Sequence, residues 1–376
     1  MTGKSALVYS EELLKYDFGP FHPLKPERLS LTFELIKALG LLDTSGSSLR
    51  SPRIATLEEI LLFHTLSYVK QVQEASKKGT GRFDLGDTPA FKGCYEVSCL
   101  VAGATLKAID LVMTDGFEHA FSPGGGLHHA HKDRASGFCV FNDAAIGIAY
   151  LKNHYGLKRI MYVDVDAHHG DGVMYGFYKD PGLLDVDFHE DGHYLFPGTG
   201  QATEIGEDPA KGLKINLPLP PFTSDRTFIY AFNRLVPKLA AKFKPEFVIL
   251  QCGADAHRED GLAHLGLTTA TYENVTSLIH EIAHRFCAGR LVALGGGGYN
   301  LSNTSRCWSI VYSRLIEAKC AEDIPLAWKT YFESIVKEKA PHTLHDIITK
   351  LNEKKDRKVT SHILNMVQQI ETTIGI

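Results

Sequence analysis

The chain has 376 residues, of which 44% are hydrophobic and 22% are charged, and its formal net charge is −4. This length suits one large α/β domain or two smaller ones, and the composition is ordinary for a soluble globular enzyme. The weak negative charge gives no global attraction to nucleic acid or to an anionic membrane, so neither kind of partner is expected.

The amino-terminal sequence lacks the long apolar segment of a signal peptide. The most apolar stretch, residues 98–113, contains Lys107 and Asp110 and is therefore not a membrane span. Seven cysteines without a CxxC pair are typical of free thiols rather than of a disulfide framework. We therefore expect a cytoplasmic protein, while the composition gives no prediction of its oligomeric state.

Short apolar segments separated by helical patterns recur along the chain. They cover residues 6–9, 119–122, 159–163, 183–188, 213–217, 247–252 and 291–294. Strands that alternate with helices predict an α/β fold with a central, mostly parallel sheet flanked by helices. Several segments end in polar or glycine-rich sequence, and the carboxyl ends of such strands are where ligands bind. Because no break in composition precedes about residue 320, we predict one domain over 1–376, with a helical extension at about 327–376.

A histidine pair, His128 and His129, follows the glycine-rich sequence after the segment 119–122. Glycine lets the backbone approach a ligand closely, and histidine titrates near neutral pH. The motif therefore suggests an acid–base pair. Asp164 and Asp171, in the next polar cluster, could each orient one imidazole through its Nδ1–H.

An acidic cluster follows the apolar segment 159–163. Within it, Asp166 and His168 are two residues apart, so an extended backbone directs both side chains to one face. Crowded carboxylates and imidazoles are costly without a balancing cation, which favours a metal site over a strand end that merely caps the next helix. Asp255 is the natural third ligand, and three protein ligands are typical of a catalytic metal. We expect His257 at the rim of the site rather than on the metal.

Four consecutive glycines precede Tyr299. The phenol of Tyr299 could hydrogen-bond a developing oxyanion. The alternative interpretation is that the glycines form an ordinary loop and that Tyr299 is a core residue. The loop does not have the GxGxxG or Gly-Lys-Ser/Thr pattern of a phosphate site. Phe138 and Phe196 lie beside polar loops and could wall a narrow apolar slot.

Taken together, these motifs resemble the histone deacetylase superfamily, which comprises zinc-dependent lysine deacylases of the arginase-like α/β fold. The matching motifs are HPLKPER at 22–28, PGGGLHHA at 123–130, GFCVFND at 137–143, VDVDAHHGDGV at 163–173, FPGTG at 196–200, GAD at 253–255 and GGGGYN at 295–300. Two longer phrases, GADAH at 253–257 and DFHEDGHYLFPGTG at 187–200, resemble the prokaryotic acetoin-utilisation (AcuC-type) group, itself similar to the class I enzymes.

The resemblance implies a role for each matching residue. The metal ligands would be Asp166, His168 and Asp255, holding Zn²⁺ or else Fe²⁺, which suits the same ligands. The catalytic set would be His128, His129, their respective carboxylates Asp164 and Asp171, and the carbonyl-polarising Tyr299. The acyl-lysine tunnel would be lined by Gly137, Phe138, Phe196 and Leu262, and Arg28 would face an internal cavity below the metal. A structural K⁺ would lie against the backbone around Asp164, Asp166, His168 and Phe188, beside Asp187.

Two positions depart from the family pattern. Asp187 stands where the potassium site usually has a serine, which would strengthen or reorganise cation binding. Lys92 aligns with the acidic residue that holds the substrate backbone at the tunnel mouth of class I enzymes. Binding of a peptide backbone at the mouth would therefore differ.

The resemblance implies hydrolysis of N6-acetyl-lysine in proteins, with an acetylated metabolic enzyme such as acetyl-CoA synthetase as the implied substrate. An acetylpolyamine amidohydrolase would use the same ligands and is the main alternative. An arginase-like site with two metal ions is not expected, because His257 stands where a second bridging aspartate is needed. A catalytically inactive domain that only binds acyl-lysine is not expected either, since the chain keeps Tyr299 and all three predicted metal ligands.

Overall fold

Eight strands form one sheet in the computed structural model, which describes residues 4–347 and 353–376. The strands are β1 Ser5–Val8, β2 Ser47–Arg50, β3 His119–Ser122, β4 Ile160–Asp164, β5 Leu183–Glu190, β6 Lys214–Leu219, β7 Phe247–Gln251 and β8 Leu291–Leu294. Their order in the sheet is β2-β1-β3-β8-β7-β4-β5-β6, and every neighbouring pair is parallel. The predicted α/β fold with a largely parallel sheet is confirmed, and residues 1–3 and 348–352 of the predicted domain lie outside the described residues.

Helices flank the sheet and connect its strands. They are α1 Glu27–Ala38, α2 Leu57–Ile60, α3 Leu66–Lys78, α4 Cys94–Met113, α5 Asp143–Asn153, α6 Asp171–Gly176, α7 Asp225–Phe243, α8 Thr269–Cys287, α9 Leu301–Leu315, α10 Leu326–Val336 and α11 Glu353–Ile374. Strands covered on both faces need continuous apolar sequence rather than alternation, and every residue of β4, β7 and β8 is buried. This is why these segments could be recognised from sequence.

The carboxyl-terminal helices pack on the domain at two separate places. Trp328 of α10 lies in a small core with α1 and donates a hydrogen bond from Nε1 to the carbonyl oxygen of Leu31 over 2.9 Å. Helix α11 packs on α7 and β6, where Glu371 forms ion pairs with Arg234 and Lys238. Within the described ranges, no helix has both the length and the apolar character needed to cross a membrane. All seven cysteines are free.

Candidate active site

Four adjacent strands end at the same edge of the sheet and place the predicted motifs together. In the register of the sheet, Ser122 of β3 is level with Leu294 of β8, Leu294 with Gln251 of β7, and Gln251 with Asp164 of β4. The four loops that follow these strands carry the histidine pair, the acidic cluster, the third predicted ligand and the glycine run. The expectation of one functional edge fed by several strands agrees with this geometry.

The three predicted metal ligands converge in the buried interior of this edge. Nδ1 of His168 lies 2.8 Å from Oδ2 of Asp255 and 3.1 Å from Oδ1 of Asp166. One ligand atom from each residue falls within 4.8 Å of the others. The remaining carboxylate oxygens are already held: Oδ2 of Asp166 accepts from Gln251 Nε2 at 2.9 Å and from Gly297 N at 2.7 Å, and Oδ1 of Asp255 accepts from Ala167 N at 2.8 Å.

The electrostatics of this trio fit a divalent cation. Burial lowers the pKa of His168, but its hydrogen bonds to Asp166 and Asp255 raise it to about 10. Burial and the nearby Asp166 raise the pKa of Asp255. The imidazole therefore takes up a proton to balance two buried carboxylates, and a metal ion would replace that proton. Two aspartates and one histidine leave coordination positions open, as in catalytic rather than structural sites.

The glycine run packs directly against these carboxylates. A Cβ atom added at Gly297 would lie 1.9 Å from Oδ2 of Asp255, and one at Gly296 would lie 2.2 Å from Nε2 of Gln251. A side chain at either position would displace groups that form or hold the metal site. Close approach to the ligand cluster therefore explains why glycine is required here.

If the trio binds a metal as predicted, substituting Gly297→Ala is expected to lower the bound metal and to reduce turnover on the order of a hundredfold, because an ångström-scale shift of Asp255 would misplace a ligand. Metal content and steady-state kinetics of the purified variant would measure both effects. Gly261→Ala is the matched control, since a Cβ atom at Gly261 meets no atom within 4 Å. Equal zinc content and turnover in the two variants would contradict this explanation.

Each histidine of the predicted pair is oriented by its predicted carboxylate. Nδ1 of His128 lies 2.8 Å from Oδ2 of Asp164, and Nδ1 of His129 lies 2.7 Å from Oδ1 of Asp171. The two Nε2 atoms are 3.1 Å apart. Tyr162 also donates its hydroxyl to Asp164 over 2.6 Å.

The two imidazoles differ in charge. Burial opposes protonation of His128, but the carboxylates of Asp164 and Asp166 raise its pKa to about 10. Burial and the neighbouring His128 lower the pKa of His129 to about 4 despite its bond to Asp171. At neutral pH, His129 is thus the member of the pair that can accept a proton, while His128 supplies positive charge.

Two residues that the sequence analysis did not single out hold the histidine loop. Asp143 accepts hydrogen bonds from the backbone of Gly126 and Leu127 at 2.9 and 2.8 Å. Asn142 caps α5 and donates to the carbonyl oxygens of His128 and Ala130 at 2.9 and 3.0 Å. Both are completely buried. They end the GFCVFND motif at 137–143 as a polar pair directly after an apolar run, but no role was assigned to them.

Tyr299 borders the same pocket as the histidines. Its ring centroid lies 6.4 Å from that of His168 and 5.8 Å from that of Phe138. Asp260 accepts a hydrogen bond from the backbone N–H of Tyr299 at 2.8 Å and fixes the loop. Burial, Asp255 and Asp166 raise the pKa of the phenol well above its usual range, so the hydroxyl stays protonated and can donate.

An open pocket of about 480 Å³ leads to this cluster. Its lining includes the four predicted tunnel residues Gly137, Phe138, Phe196 and Leu262, together with His129, His168 and Tyr299. Phe196 packs edge-on against His129 at a centroid distance of 5.0 Å. Gly137 adopts φ +52°, and a Cβ atom there would lie 2.5 Å from the His129 ring, so only glycine leaves the passage and the imidazole intact.

The acidic side chain at the pocket mouth is Asp87, which corrects the expectation for Lys92. Asp87 is exposed and lines the pocket beside His22 and Phe138. Lys92 lies on a different surface with Glu12 and Lys15. The alignment of Lys92 with the rim acid does not fit this geometry, because the turn at Gly86 brings Asp87, five residues earlier, to the mouth.

His257 is buried behind the site, so its predicted place at the rim was wrong. Only 1% of its surface is exposed, its Nε2 lies 2.9 Å from Oδ2 of Asp346, and its Nδ1 accepts from Asn303 at 2.9 Å. Asp346 also accepts a 2.9 Å hydrogen bond from Arg306. This network anchors the segment that follows Asp255 to the carboxyl-terminal part of the chain.

Substituting Asp346→Asn is expected to destabilise the protein by about 3 kcal/mol, because it leaves the buried Arg306 without its counter-charge. Burial raises the pKa of Asp346, but His257 and Arg306 hold it well below its usual range. The ionised Asp346 therefore makes its full contribution to the free energy of unfolding above about pH 4. That contribution declines as the pH falls further, because protonation of the carboxylate then favours the unfolded chain. The unfolding temperature should be higher for the wild type than for Asp346→Asn at pH 7, and this difference should be smaller at pH 3.5. The exposed Asp133→Asn serves as control, and an advantage independent of pH would contradict the argument.

The predicted potassium residues lie beside the acidic cluster. Asp164 of β4 is level with Asp187 of β5, and Phe188 is buried next to it. Asp187 accepts a 2.7 Å hydrogen bond from the backbone of Gly170 and lies 2.5 Å from Nδ1 of His189. Both oxygens of its buried neighbour Asp185 have no hydrogen-bond partner in the described part of the chain.

Arg28 is buried behind the glycine run. Its Nη1 donates to the carbonyl oxygen of Gly296 at 2.7 Å, and its guanidinium lies 5.2 Å from the centre of the Trp308 ring. A small cavity of about 20 Å³ lies between this loop, the histidine pair and Tyr299. Arg28 thus supports the wall of that cavity, whereas direct exposure to it stays a prediction.

Comparison with known proteins agrees with this geometry. Residues 22–315 match the model of the histone deacetylase domain family. The chain is 40% identical over 335 residues to the acetoin utilization protein AcuC of Bacillus subtilis, covering 86% of this chain and 85% of that protein. It is 36% identical over 379 residues to AcuC of Staphylococcus aureus strain MSSA476, covering 96% and 97%.

A solved structure of an HDAC homolog complexed with SAHA superposes with a TM-score of 0.83 at 31% identity, covering 96% of this chain and 99% of that chain. The family match spans most of the sequence, and the relatives match over nearly their full lengths. The chain therefore belongs to the histone deacetylase family and is a deacetylase hydrolase of the acetoin-utilisation (AcuC) type.

Proposed function

We propose that the protein hydrolyses the acetyl amide of N6-acetyl-lysine in proteins, using Zn²⁺ held by Asp166, His168 and Asp255. One observation carries the proposal. A single pocket lined by His129, His168 and Tyr299 leads to a buried carboxylate–imidazole cluster suited to a metal.

A bound Zn²⁺ would act as a Lewis acid toward the amide oxygen and would make a water molecule acidic enough to attack near neutral pH. Fe²⁺ suits the same ligands and is the second candidate metal. K⁺ is proposed near Asp164 and Asp187, since burial and Asp187 raise the pKa of Asp185, whose oxygens have no hydrogen-bond partner among the described residues, and a cation there would favour its ionised form.

The protein groups divide the remaining work. Phe138 and Phe196 would enclose the apolar stem of the lysine. His129, held by Asp171, would accept a proton from the attacking water and return it to the leaving amine. His128, held by Asp164, would supply fixed positive charge, and the Tyr299 hydroxyl would donate a hydrogen bond to the amide oxygen as negative charge develops.

The substrate is proposed to be a protein, and an acetylated metabolic enzyme such as acetyl-CoA synthetase is a candidate because the relatives are acetoin utilization proteins. Acetylpolyamine is the second candidate, favoured by one feature. The exposed carboxylate of Asp87 at the pocket mouth could bind the distal ammonium of a polyamine as well as a peptide N–H group.

The metal dependence is tested by stripping the enzyme with a chelator and restoring Zn²⁺ or Fe²⁺ while following hydrolysis of an acetyl-lysine peptide. We expect activity to disappear and to return with one metal equivalent in this pocket. A hydroxamate chelator should inhibit the restored enzyme. Activity that survives complete removal of metal would refute the mechanism.

A further inference from the structure

Three histidines meet at the opposite end of the parallel strands from the catalytic pocket. His119 is the first residue of β3, whose other end leads to the histidine pair. His280 and His284 are one turn apart near the end of α8, so their side chains share one face of that helix. The sequence separates His119 from the other two by more than 160 residues, and no motif marks them.

The imidazole nitrogens of this His119/His280/His284 cluster point at one another. Nε2 of His284 lies 3.2 Å from Nε2 of His119 and 3.3 Å from Nε2 of His280. A neutral imidazole has one N–H donor and one lone pair, and Nε2 carries only one of these. Nε2 of His284 therefore cannot form two good hydrogen bonds to its two neighbours in any tautomer.

Hydrogen bonding also fails to explain why His119 is buried. Its side chain is 1% exposed, and its Nδ1 has no hydrogen-bond partner among the described residues. Burial of this ring is unfavourable, because one nitrogen has no partner and the other faces a second imidazole. It becomes favourable if an ion occupies the point between the three Nε2 atoms.

The spacing matches that of metal-bound imidazoles. With metal–nitrogen bonds of about 2.0–2.1 Å and tetrahedral angles, ligand nitrogens are separated by about 3.3–3.4 Å. The two short contacts are within about 0.2 Å of that value, and all three ligand nitrogens lie within 4.8 Å of one another. Small rotations of the half-buried His280 and the exposed His284 would bring three lone pairs onto one ion.

We propose that His119, His280 and His284 form a second metal site, distinct from the catalytic one, that binds Zn²⁺ or a similar divalent transition metal. Three neutral imidazoles favour such ions over Mg²⁺ and Ca²⁺, which prefer oxygen ligands. The exposed side of the cluster admits the ion and leaves a fourth position for water or an external ligand.

The site would link β3 to α8. Because α8 also packs on α7, α9, β7 and β8, the ion would connect the first residue of one central strand to a helix that covers two others. An ion that binds the native but not the unfolded chain stabilises the native state. Zinc at this site should therefore raise the unfolding temperature without taking part in the reaction.

The number of bound zinc ions tests the proposal. Full-length enzyme, stripped of metal and titrated with Zn²⁺, should bind two equivalents by calorimetry and elemental analysis. The double variant His280→Ala/His284→Ala should bind one and keep its kcat/KM on an acetyl-lysine peptide. The control His362→Ala, an exposed histidine on α11, should still bind two.

Further variants separate this site from the catalytic one. Asp255→Asn should lose the catalytic equivalent yet keep the one at the His119/His280/His284 cluster, and the single variant His284→Ala reports on the site if the double variant does not fold. Saturating Zn²⁺ should raise the unfolding temperature of Asp255→Asn, and adding His284→Ala should abolish that rise. One equivalent in the wild type, or two in the double variant, would overturn the proposal.

Discussion

Replacing Tyr299 by phenylalanine is expected to lower kcat on an acetyl-lysine peptide by about a hundredfold or more, with metal content unchanged. Burial and the nearby carboxylates raise the pKa of the phenol, which stands beside the proposed metal ligand His168, so the hydroxyl can donate to an oxygen that becomes negative during the reaction. Removing one such donor typically costs about 10²–10³ in rate. The ring itself remains, so packing against Phe138 is preserved.

The experiment measures kcat, KM and zinc content side by side for Tyr299→Phe and for Tyr230→Phe, a matched change at an exposed position on α7. Loss of kcat with little change in KM would support a role in the transition state. Normal turnover in Tyr299→Phe would exclude the proposed role of the hydroxyl, and a parallel loss of zinc would assign it a structural one.

Replacing Asp255 by asparagine is expected to reduce kcat/KM by about a thousandfold or more, equivalent to about 4 kcal/mol, because the pocket would lose most of its metal. Asparagine keeps the shape of the side chain but removes one of the two carboxylate charges that would hold the proposed cation. Ala167 N–H can still donate to the remaining carbonyl oxygen, so the loop should keep its fold.

Zinc content, activity and activity at raised zinc concentration would be measured for Asp255→Asn and for the exposed control Asp133→Asn. Partial recovery at high zinc would indicate weakened binding rather than misfolding. Full zinc content in the pocket together with wild-type turnover would mean that Asp255 is not a ligand.

The sequence predicted the sheet because its central strands are continuously apolar. Segments such as 119–122 and 291–294 match the observed strands residue for residue. Strand β2, Ser47–Arg50, was missed because this edge strand carries only one apolar residue, Leu49, and is partly exposed. An edge strand needs no continuous hydrophobic run, so its pairing with β1 is set by tertiary contacts.

The candidate site was predictable where its residues stand in compact motifs at strand ends. Side chains that act across the sheet were harder to assign, since their partners are far away in sequence. Gln251 binds Asp166, 85 residues distant, and nothing local distinguishes it from any polar strand terminus. His257 was misplaced for the same reason: its partner Asp346 is 89 residues away.

Loop geometry explains the remaining error. Asp87 and Lys92 are five residues apart, and an alignment by sequence position alone could not decide which one reaches the pocket. Asp84 accepts hydrogen bonds from the backbone N–H groups of Gly86, Asp87 and Thr88, which folds this loop into a tight turn. That turn carries Asp87 to the mouth and was not encoded in any motif.

The most direct test of the central claim compares kcat/KM of the zinc-loaded enzyme on an acetyl-lysine peptide with values for N-acetylputrescine and N-acetylspermidine. We expect the peptide to be the better substrate, with activity abolished by chelation and by Asp255→Asn. Preference for the acetylpolyamines would contradict the assignment as a protein lysine deacetylase and would point to Asp87 as an ammonium-binding group. Absence of hydrolysis of all three amides by zinc-loaded or iron-loaded enzyme would contradict the account as a whole.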